Sequence, residues 1–469
     1  MPHGQEVDLV KAATAASHAR TAEEKLQAED RLAELLRQRQ NTYVRWSLDR
    51  HVTKIRVLPR DTIKLKPRSD FERKDAQGNT TTDWRSYASH LLDYYAHRYG
   101  GQYIGYGSDP PAPSKETIMP NIERLIVATS PFQEFIMTTR RVYRWENPRE
   151  TAKYLIIYVA LWYFNLLLPG VLSAILYLVV QRRLHSQTME DLREDIRHRE
   201  DVERTALSLT EFIEKRGNEN WAHDLLQEIG PWLMIQLADL ANFFETVRNF
   251  YEWRKPTRTF AVLFVFALFI LVTVFTPLWL LVKITTFLWG IVFFCLFPLS
   301  VNFPEYRLLV SPSKRLLWNI PTHAEWAMKY IQAEGLRVLA KQKKHDQKFL
   351  HDGTPSAIPR QPEDRALASY PSHYEKVAGH LVIGVTGIRF LAKHEPQVVL
   401  FSLPYARICQ LEKQNRHVEK VAKILKEYEK DLRIVDCAGK EWLVQGMEKR
   451  DEAFSQIVGF SRTTWQVVW

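Results

Sequence analysis

Tyr154 to Val180, YLIIYVALWYFNLLLPGVLSAILYLVV, is a run of 27 residues with no charged side chain and with Pro169-Gly170 in its middle. As a helix rising about 1.5 Å per residue it reaches about 40 Å, more than the roughly 30 Å of a bilayer's hydrocarbon core. A second apolar region, Phe260 to Val301, carries a single charge, Lys283. Within Phe260 to Val282, 17 of 23 residues are Leu, Ile, Val or Phe. Each favours insertion by roughly 0.3 to 0.6 kcal/mol, against a cost of about 3 for a central lysine. The apolar sum wins. It predicts membrane segments at 154–180, 260–282 and 284–301, with Lys283 at a membrane surface between the last two. A buried core helix would need a polar face, and these stretches have none.

Flanking charge bears on topology. Arg140, Arg141, Arg144, Arg149 and Lys153 precede the first run, and Arg182, Arg183, Arg193, Arg197 and Arg199 follow it. The balance gives no inside-outside bias, which suits a hairpin or re-entrant loop turning at Pro169-Gly170 with both ends in the cytosol. A single spanning helix kinked at the proline is the other reading. Met1 to Val10 has no basic-then-apolar leader, so carrying some 150 preceding residues across the membrane is disfavoured.

The sequence repeats itself where it enters the apolar regions. Trp145 to Thr151 and Trp253 to Thr259 both read W-x-x-P-x-x-T, and Phe135/Phe243, Arg140/Arg248 and Tyr143/Tyr251 fall at the same offset. Tryptophan and basic residues suit the headgroup belt, and proline suits a first helical turn, so Trp145, Trp253 and Lys283 are the expected interface anchors. Trp318 to Thr322 echoes part of the motif. Entry of both regions from one side follows if the repeat is structural.

The remainder is polar. Residues 1–40 read as a helix with Leu26, Leu32, Leu35 and Leu36 as its stripe, either solvated or paired as a coiled coil. Residues 41–117 mix strand-like pieces with Tyr94, Tyr95, Tyr99 and Tyr103, ending in the breaker Asp109 to Pro113. Within a membrane region of 118–330, Met189 to Arg204 is densely charged. Leu233, Leu237, Leu240, Phe244, Val247 and Tyr251 mark an amphipathic helix that lies in the headgroup plane or packs on a partner helix. Residues 331–371 carry a helix and then a proline-bearing linker.

From residue 372 the pattern is β: His380–Val385, Ile388–Lys393, Val398–Ser402, Ala406–Leu411, Leu432–Asp436 and Glu441–Gln445, then a helix over Lys449–Trp465 with Phe454, Ile457, Val458 and Ser461 on one side. Gly379 to Phe390, Val398 to Ile408 and Arg450 to Phe454 resemble, in order, the opening strands, the next strand with its exit, and the last helix of a GRAM domain. Together with Arg315 to Thr322, the layout resembles the GRAM domain-containing protein 4 family, including fungal members. The resemblance implies an α + β membrane protein ending in a PH-like β-barrel capped by a helix. It also implies a lipid partner such as a phosphoinositide or phosphatidylserine, and endoplasmic reticulum or mitochondrial membranes.

The formal charge of +10 suits an anionic leaflet better than nucleic acid beside such apolar segments. Arg389, Lys393, Arg407, Lys413, Arg416 and Lys420 are the candidate headgroup residues, the last three in a loop or insertion from Glu412 to Asp431. The near-neutral, mixed charge of that insertion suits a solvated helix better. Three cysteines without paired spacing predict neither disulfides nor a zinc site, and a reducing cytosol for the soluble parts. There is no phosphate loop, H-E-x-x-H or nucleophile elbow, and His90, Asp93 and His97 lack a fourth ligand. No cofactor or catalysis is expected. The resulting expectation is a tether or marker at membrane contacts. The alternatives are a leaflet-wedging hairpin scaffold whose GRAM domain docks proteins, in cell-death or organelle signalling or as a homo-oligomer, and a transporter, for which too few intramembrane polar residues are present.

Overall fold

The computed structural model describes residues 3–19, 21–58, 63–74, 80–105, 115–143, 145–184, 221–311, 317, 319–351, 366–393, 398–417 and 428–468. The breaker Asp109 to Pro113, the charged stretch Met189 to Arg204, Trp318 and Lys420 lie outside them. The architecture is mixed α and β, mostly helical, with a C-terminal antiparallel sheet. The chain divides into two compact units. One comprises Met1–His51, Pro110–Leu288 and Arg315–Ala327; the other comprises Val52–Asp109, Trp289–Lys314 and Met328–Trp469.

The first unit is helical. The expected N-terminal helix is broken in two, α1 (His3–His18) and α2 (Ala22–His51). The restart is a capping box, with Thr21 Oγ1 accepting from the Glu24 N–H and Glu24 Oε2 accepting from the Thr21 N–H. The two helices pack on each other through Leu9, Ala12, Ala13 and Leu35. In the same unit, α4 (Lys115–Tyr143), α5 (Pro148–Tyr163), α6 (Leu167–Leu184), α7 (Trp221–Tyr251) and α8 (Pro256–Phe275) follow α3 (Trp84–Gly100), which belongs to the second unit. α9 runs Leu278–Asn302. α4 packs on α7 and α6 on α8.

Among the described residues, three helices are long and apolar enough to cross a membrane: α6, α8 and α9. This redraws the expected segments. The run 154–180 is two helices, and the turn falls at Asn165 (φ 56°) rather than at Pro169-Gly170. The Leu166 N–H bonds Leu161 O and the Asn165 N–H bonds Trp162 O, a Schellman ending. Pro169 sits in the first turn of α6, where its missing N–H costs nothing. Gly170 is pressed against Leu161: a Cβ there would lie 2.7 Å from Leu161 Cδ1. Nine residues of straight helix would separate the pair by about 13 Å, so the chain folds back here. Between α8 and α9 the break is at Thr276-Pro277, and Lys283 lies inside α9 instead of at a turn.

The second unit is built on one nine-stranded sheet of order β11-β1-β8-β9-β10-β4-β5-β6-β7. The strands are β1 (Lys54–Val57), β4 (Ala366–Tyr374), β5 (Val377–Gly384), β6 (Gly387–Ala392), β7 (Val399–Pro404), β8 (Ile408–His417), β9 (Tyr428–Asp436), β10 (Glu441–Gln445) and β11 (Trp465–Val468). A separate hairpin joins β2 (Glu72–Lys74) to β3 (Thr80–Thr82). The predicted strands are all present. A strand that was not expected, β4, precedes them from inside the proposed linker, with Pro371 paired to His380. The final helix is shorter: α11 spans Arg450–Phe460, burying Phe454, Ile457, Val458 and Ser461, and the chain then returns as β11. α10 (His323–His351) approaches α11 so closely that a Cβ on Gly335 would lie 2.3 Å from Gly459 O. Among the described residues the sheet stays open between β7 and β11.

Two further features were not foreseen. β1 lies between β8 and β11, with Ile55 opposite both Leu411 and Val467, so a strand from the undefined region 41–117 completes the C-terminal sheet. Cys409 and Cys437 form a disulfide with Cα atoms 5.0 Å apart. The expectation of no disulfide fails because strand pairing, not sequence spacing, brings β8 beside the end of β9.

Candidate functional site

The candidate headgroup residues do not share one environment. Arg389 lies half-buried on β6 opposite Ser402, and Lys393, just past that strand, is exposed. Arg407 is 60% exposed, and its Nη2 lies 2.8 Å from Asp436 Oδ2. Asp436 also accepts from the Ala438 and Lys440 N–H groups, and these bonds hold the turn at Gly439. Lys413 and Arg416 are on β8 rather than in a loop. Lys413 shares the inward register of Leu411, its side chain is 3% exposed, and its ammonium lies 3.3 Å from Asp451 and over the Phe454 ring. It is an internal ion-pair partner, closed to a headgroup. In the hydrogen-bonded order, β9, β10, β4 and β5 separate β8 from β6, so the ladder does not gather these cations into one cluster.

The membrane-entry motif is a structural repeat. Trp145 and Trp253 both take left-handed backbone conformations, φ 57° and 54°. Their N–H groups bond Val142 O and Phe250 O at 3.1 and 3.2 Å, each closing the preceding helix. Pro148 and Pro256 then open α5 and α8, and Thr151 and Thr259 are buried in the turns that follow. Trp145 is exposed, whereas the Trp253 indole N–H donates to Val179 O at 2.8 Å. Arg182 lies 5.8 Å from the Tyr251 ring. The end of α6 and the start of α8 are thereby held side by side. Around them, Arg182, Arg183, Arg254, Lys255 and Arg258 collect positive charge, while the turn at Asn165 and the break at Thr276-Pro277 carry none.

Beneath this entry lies a buried ionic network. Arg124 on α4 donates from Nε to Glu245 Oε1 at 2.7 Å, and from Nη2 to Asn242 Oδ1 at 2.5 Å. Arg248 donates to Val127 O and, at 2.8 Å, to Glu252. Arg254 bonds Glu252 and stacks over Trp326, 4.1 Å from the ring centroid. The His323 N–H bonds Glu245 Oε2, and Asn249 bonds Pro321 O. Burial alone would raise Glu245, but Arg124 beside it holds the carboxyl down at about 2. Burial pushes His323 down to about 4 and lowers His51 as well. Sequence reading missed this network, although Asn242, Glu245, Asn249 and Glu252 recur at helical spacing between the apolar positions of α7. The arrangement is a clamp of paired charges, since each buried ion has its counter-ion.

His90, Asp93 and His97 are engaged elsewhere. His90 Nε2 accepts from the Lys66 N–H, His97 Nδ1 lies 2.8 Å from Asp93 O, and the Asp93 carboxylate bonds Tyr306. No group of His, Cys, Asp or Glu among the described residues is placed to hold a metal.

No family model and no curated protein matches the sequence. Among solved structures, the C-terminal domain of an unknown protein from Leishmania infantum aligns over 19% of this chain and 78% of its own. It is 18% identical, with a TM-score of 0.15, a likeness too slight to carry a conclusion about fold or function.

Proposed function

We propose that this chain is a non-enzymatic membrane protein of the endoplasmic reticulum, whose apolar hairpins anchor it and whose cytosolic β domain engages an anionic membrane surface as a tether or contact-site marker. The observation that carries the topology is the pairing of β1 with β8 and β11. β1 precedes every apolar helix and the other two follow them, so one sheet requires one aqueous compartment and an even number of crossings. Because three helices satisfy the length for a span, α5, at 16 residues, supplies the fourth arm or one stretch only dips. The balanced charge around 154–180 fits such a hairpin. The basic residues gathered at the start of α8 and the end of α6 favour the cytosolic side for that end. On this placement a reducing cytosol holds Cys409 and Cys437 as adjacent thiols, and the link forms under oxidising conditions.

The β domain is read as PH-like because four strands (β4 to β7) and three (β8 to β10) are followed by a packed helix, with β10 returning to β4. Arg389 and Lys393 are the residues best placed to meet acidic headgroups, and Arg407 reaches them only by leaving Asp436. The test uses the full chain in neutral vesicles mixed with acceptor vesicles containing phosphatidylserine or phosphoinositide. Salt-sensitive tethering that Arg389→Glu/Lys393→Glu weakens tenfold or more is expected. Equal tethering to neutral acceptors, or none to any acidic one, would remove the lipid-reading role.

A further inference from the structure

The paired helices α4 and α7 carry ionised groups in their seam and large apolar side chains on their exposed surface. Among the described residues, Arg124, Glu245 and Arg248 are buried or nearly so: Arg124 pairs with Glu245 across the seam, and Arg248 donates across it to Val127 O. Met119 and Met234 are buried with them, but five large apolar side chains remain outside. Phe132 and Phe135 are exposed on α4, and Leu233, Leu240 and Phe243 on α7. Phe132 and Leu240 are equivalent positions of the repeat, and so are Phe135 and Phe243, at 63% and 37% exposure. Both copies therefore present the same apolar pair. In water the exposed phenylalanines are unfavourable; against hydrocarbon that cost falls, and the ions, already paired inside, do not have to leave the seam.

We propose that α4 and α7 are seated in the headgroup and upper acyl region of the leaflet that α5 and α8 enter, with Phe132, Phe135, Leu240 and Phe243 inserted as a duplicated wedge. The occupant is lipid because the surface is continuous with the membrane entry. α4 ends five residues before Pro148 and α7 five before Pro256, each across a tryptophan turn of the headgroup-belt type. Amphipathic helices held this way occupy area in one leaflet only, which favours curved or loosely packed membranes. This goes beyond the reading of the β domain, since it concerns helices of the other unit.

The full chain carrying Cys295→Ser, without reductant so that Cys409 and Cys437 stay linked, is labelled with an environment-sensitive fluorophore at Phe135→Cys, Leu240→Cys or Phe243→Cys. It is then reconstituted in phosphatidylcholine with a minor share of phosphatidylserine. A label at Leu26→Cys, on an exposed face of α2, is the aqueous reference. Expected are blue-shifted emission at all three wedge sites and quenching by lipids brominated on the acyl chain, severalfold stronger than at Leu26, at every protein-to-lipid ratio. Iodide quenching equal to the reference would overturn the proposal. So would blue-shifted emission that ignores brominated lipid and grows with protein density, which would identify a second copy as the occupant. As a second readout, Phe135→Asn/Phe243→Asn should reduce the preference of the protein for small vesicles over large ones severalfold; an unchanged preference counts against the wedge.

Discussion

The indole N–H of Trp253 donates to the backbone carbonyl of Val179, 2.8 Å away, and so ties the turn that opens α8 to the last turns of α6. Trp253→Phe keeps the ring and removes the donor. A loss of about 1 kcal/mol is expected for one such bond, read as a lower melting temperature in detergent or nanodiscs. Trp145→Phe, at the exposed equivalent, should change little.

Arg124 and Glu245 form the centre of the buried clamp. Arg124→Met strands a carboxylate that is 1% exposed and should cost about 3 to 5 kcal/mol, whereas Arg124→Met/Glu245→Met should regain most of that loss. Thermal unfolding of the two variants decides it, and equal destabilisation by both would rule out a dominant charge effect.

The same cluster makes stability depend on pH. Burial holds His323 near 4 against an ordinary 6.5. Above about pH 7 neither state is protonated there, so the residue has no effect. Between 6.5 and 4 the unfolded chain takes up a proton that the folded chain refuses, and stability falls towards acid by up to about 3 kcal/mol. Glu245, held at about 2 against 4.5, adds its own loss only below pH 4.5. Melting temperature from pH 7.5 to 5 should therefore drop in the native protein and flatten in His323→Gln. His51, lowered in the same direction, leaves a residual slope.

Gly335 faces the backbone of Gly459, so even alanine there forces α10 from α11. Gly335→Ala should destabilise the β-sheet unit by about 1 to 3 kcal/mol, and Gly335→Val by more. Denaturant unfolding monitored at Trp442 or Trp465, with the other tryptophans replaced, reports it.

Ile55 is fully buried in the sheet. Ile55→Ala should cost about 2 to 5 kcal/mol and speed proteolysis within residues 366–468, although the mutation lies far upstream in sequence. Unchanged cleavage would show that the strand is dispensable.

Local chemistry was the legible part of this fold. Proline following a tryptophan turn opens α5 and α8, and the alternation of Ile388, Phe390 and Ala392 marks a strand buried on one face. The turn at Asn165 escaped notice because Pro169-Gly170 looks like a stronger breaker. In the structure the proline occupies a position that tolerates it, and the glycine serves packing against Leu161. Lys413 was taken for a surface charge. Its alternation with Leu411 implied an inward side chain, but only Asp451, on another element, makes that tenable. The strand Lys54–Val57 is too short to declare itself, and its partners are beyond the reach of any local pattern. Of the headgroup candidates, sequence could name the cations but not which of them face solvent.

The position of β1 in the sheet also sets a schedule for biosynthesis. The strand leaves the ribosome some 350 residues before β8, and at about 5 to 20 residues per second it waits on the order of tens of seconds, while the apolar helices are being inserted, before a partner exists. Throughout that interval its backbone donors and acceptors are open to other chains. Any premature stop upstream of Ile408 removes both partner strands and leaves those groups unpaired by the sheet.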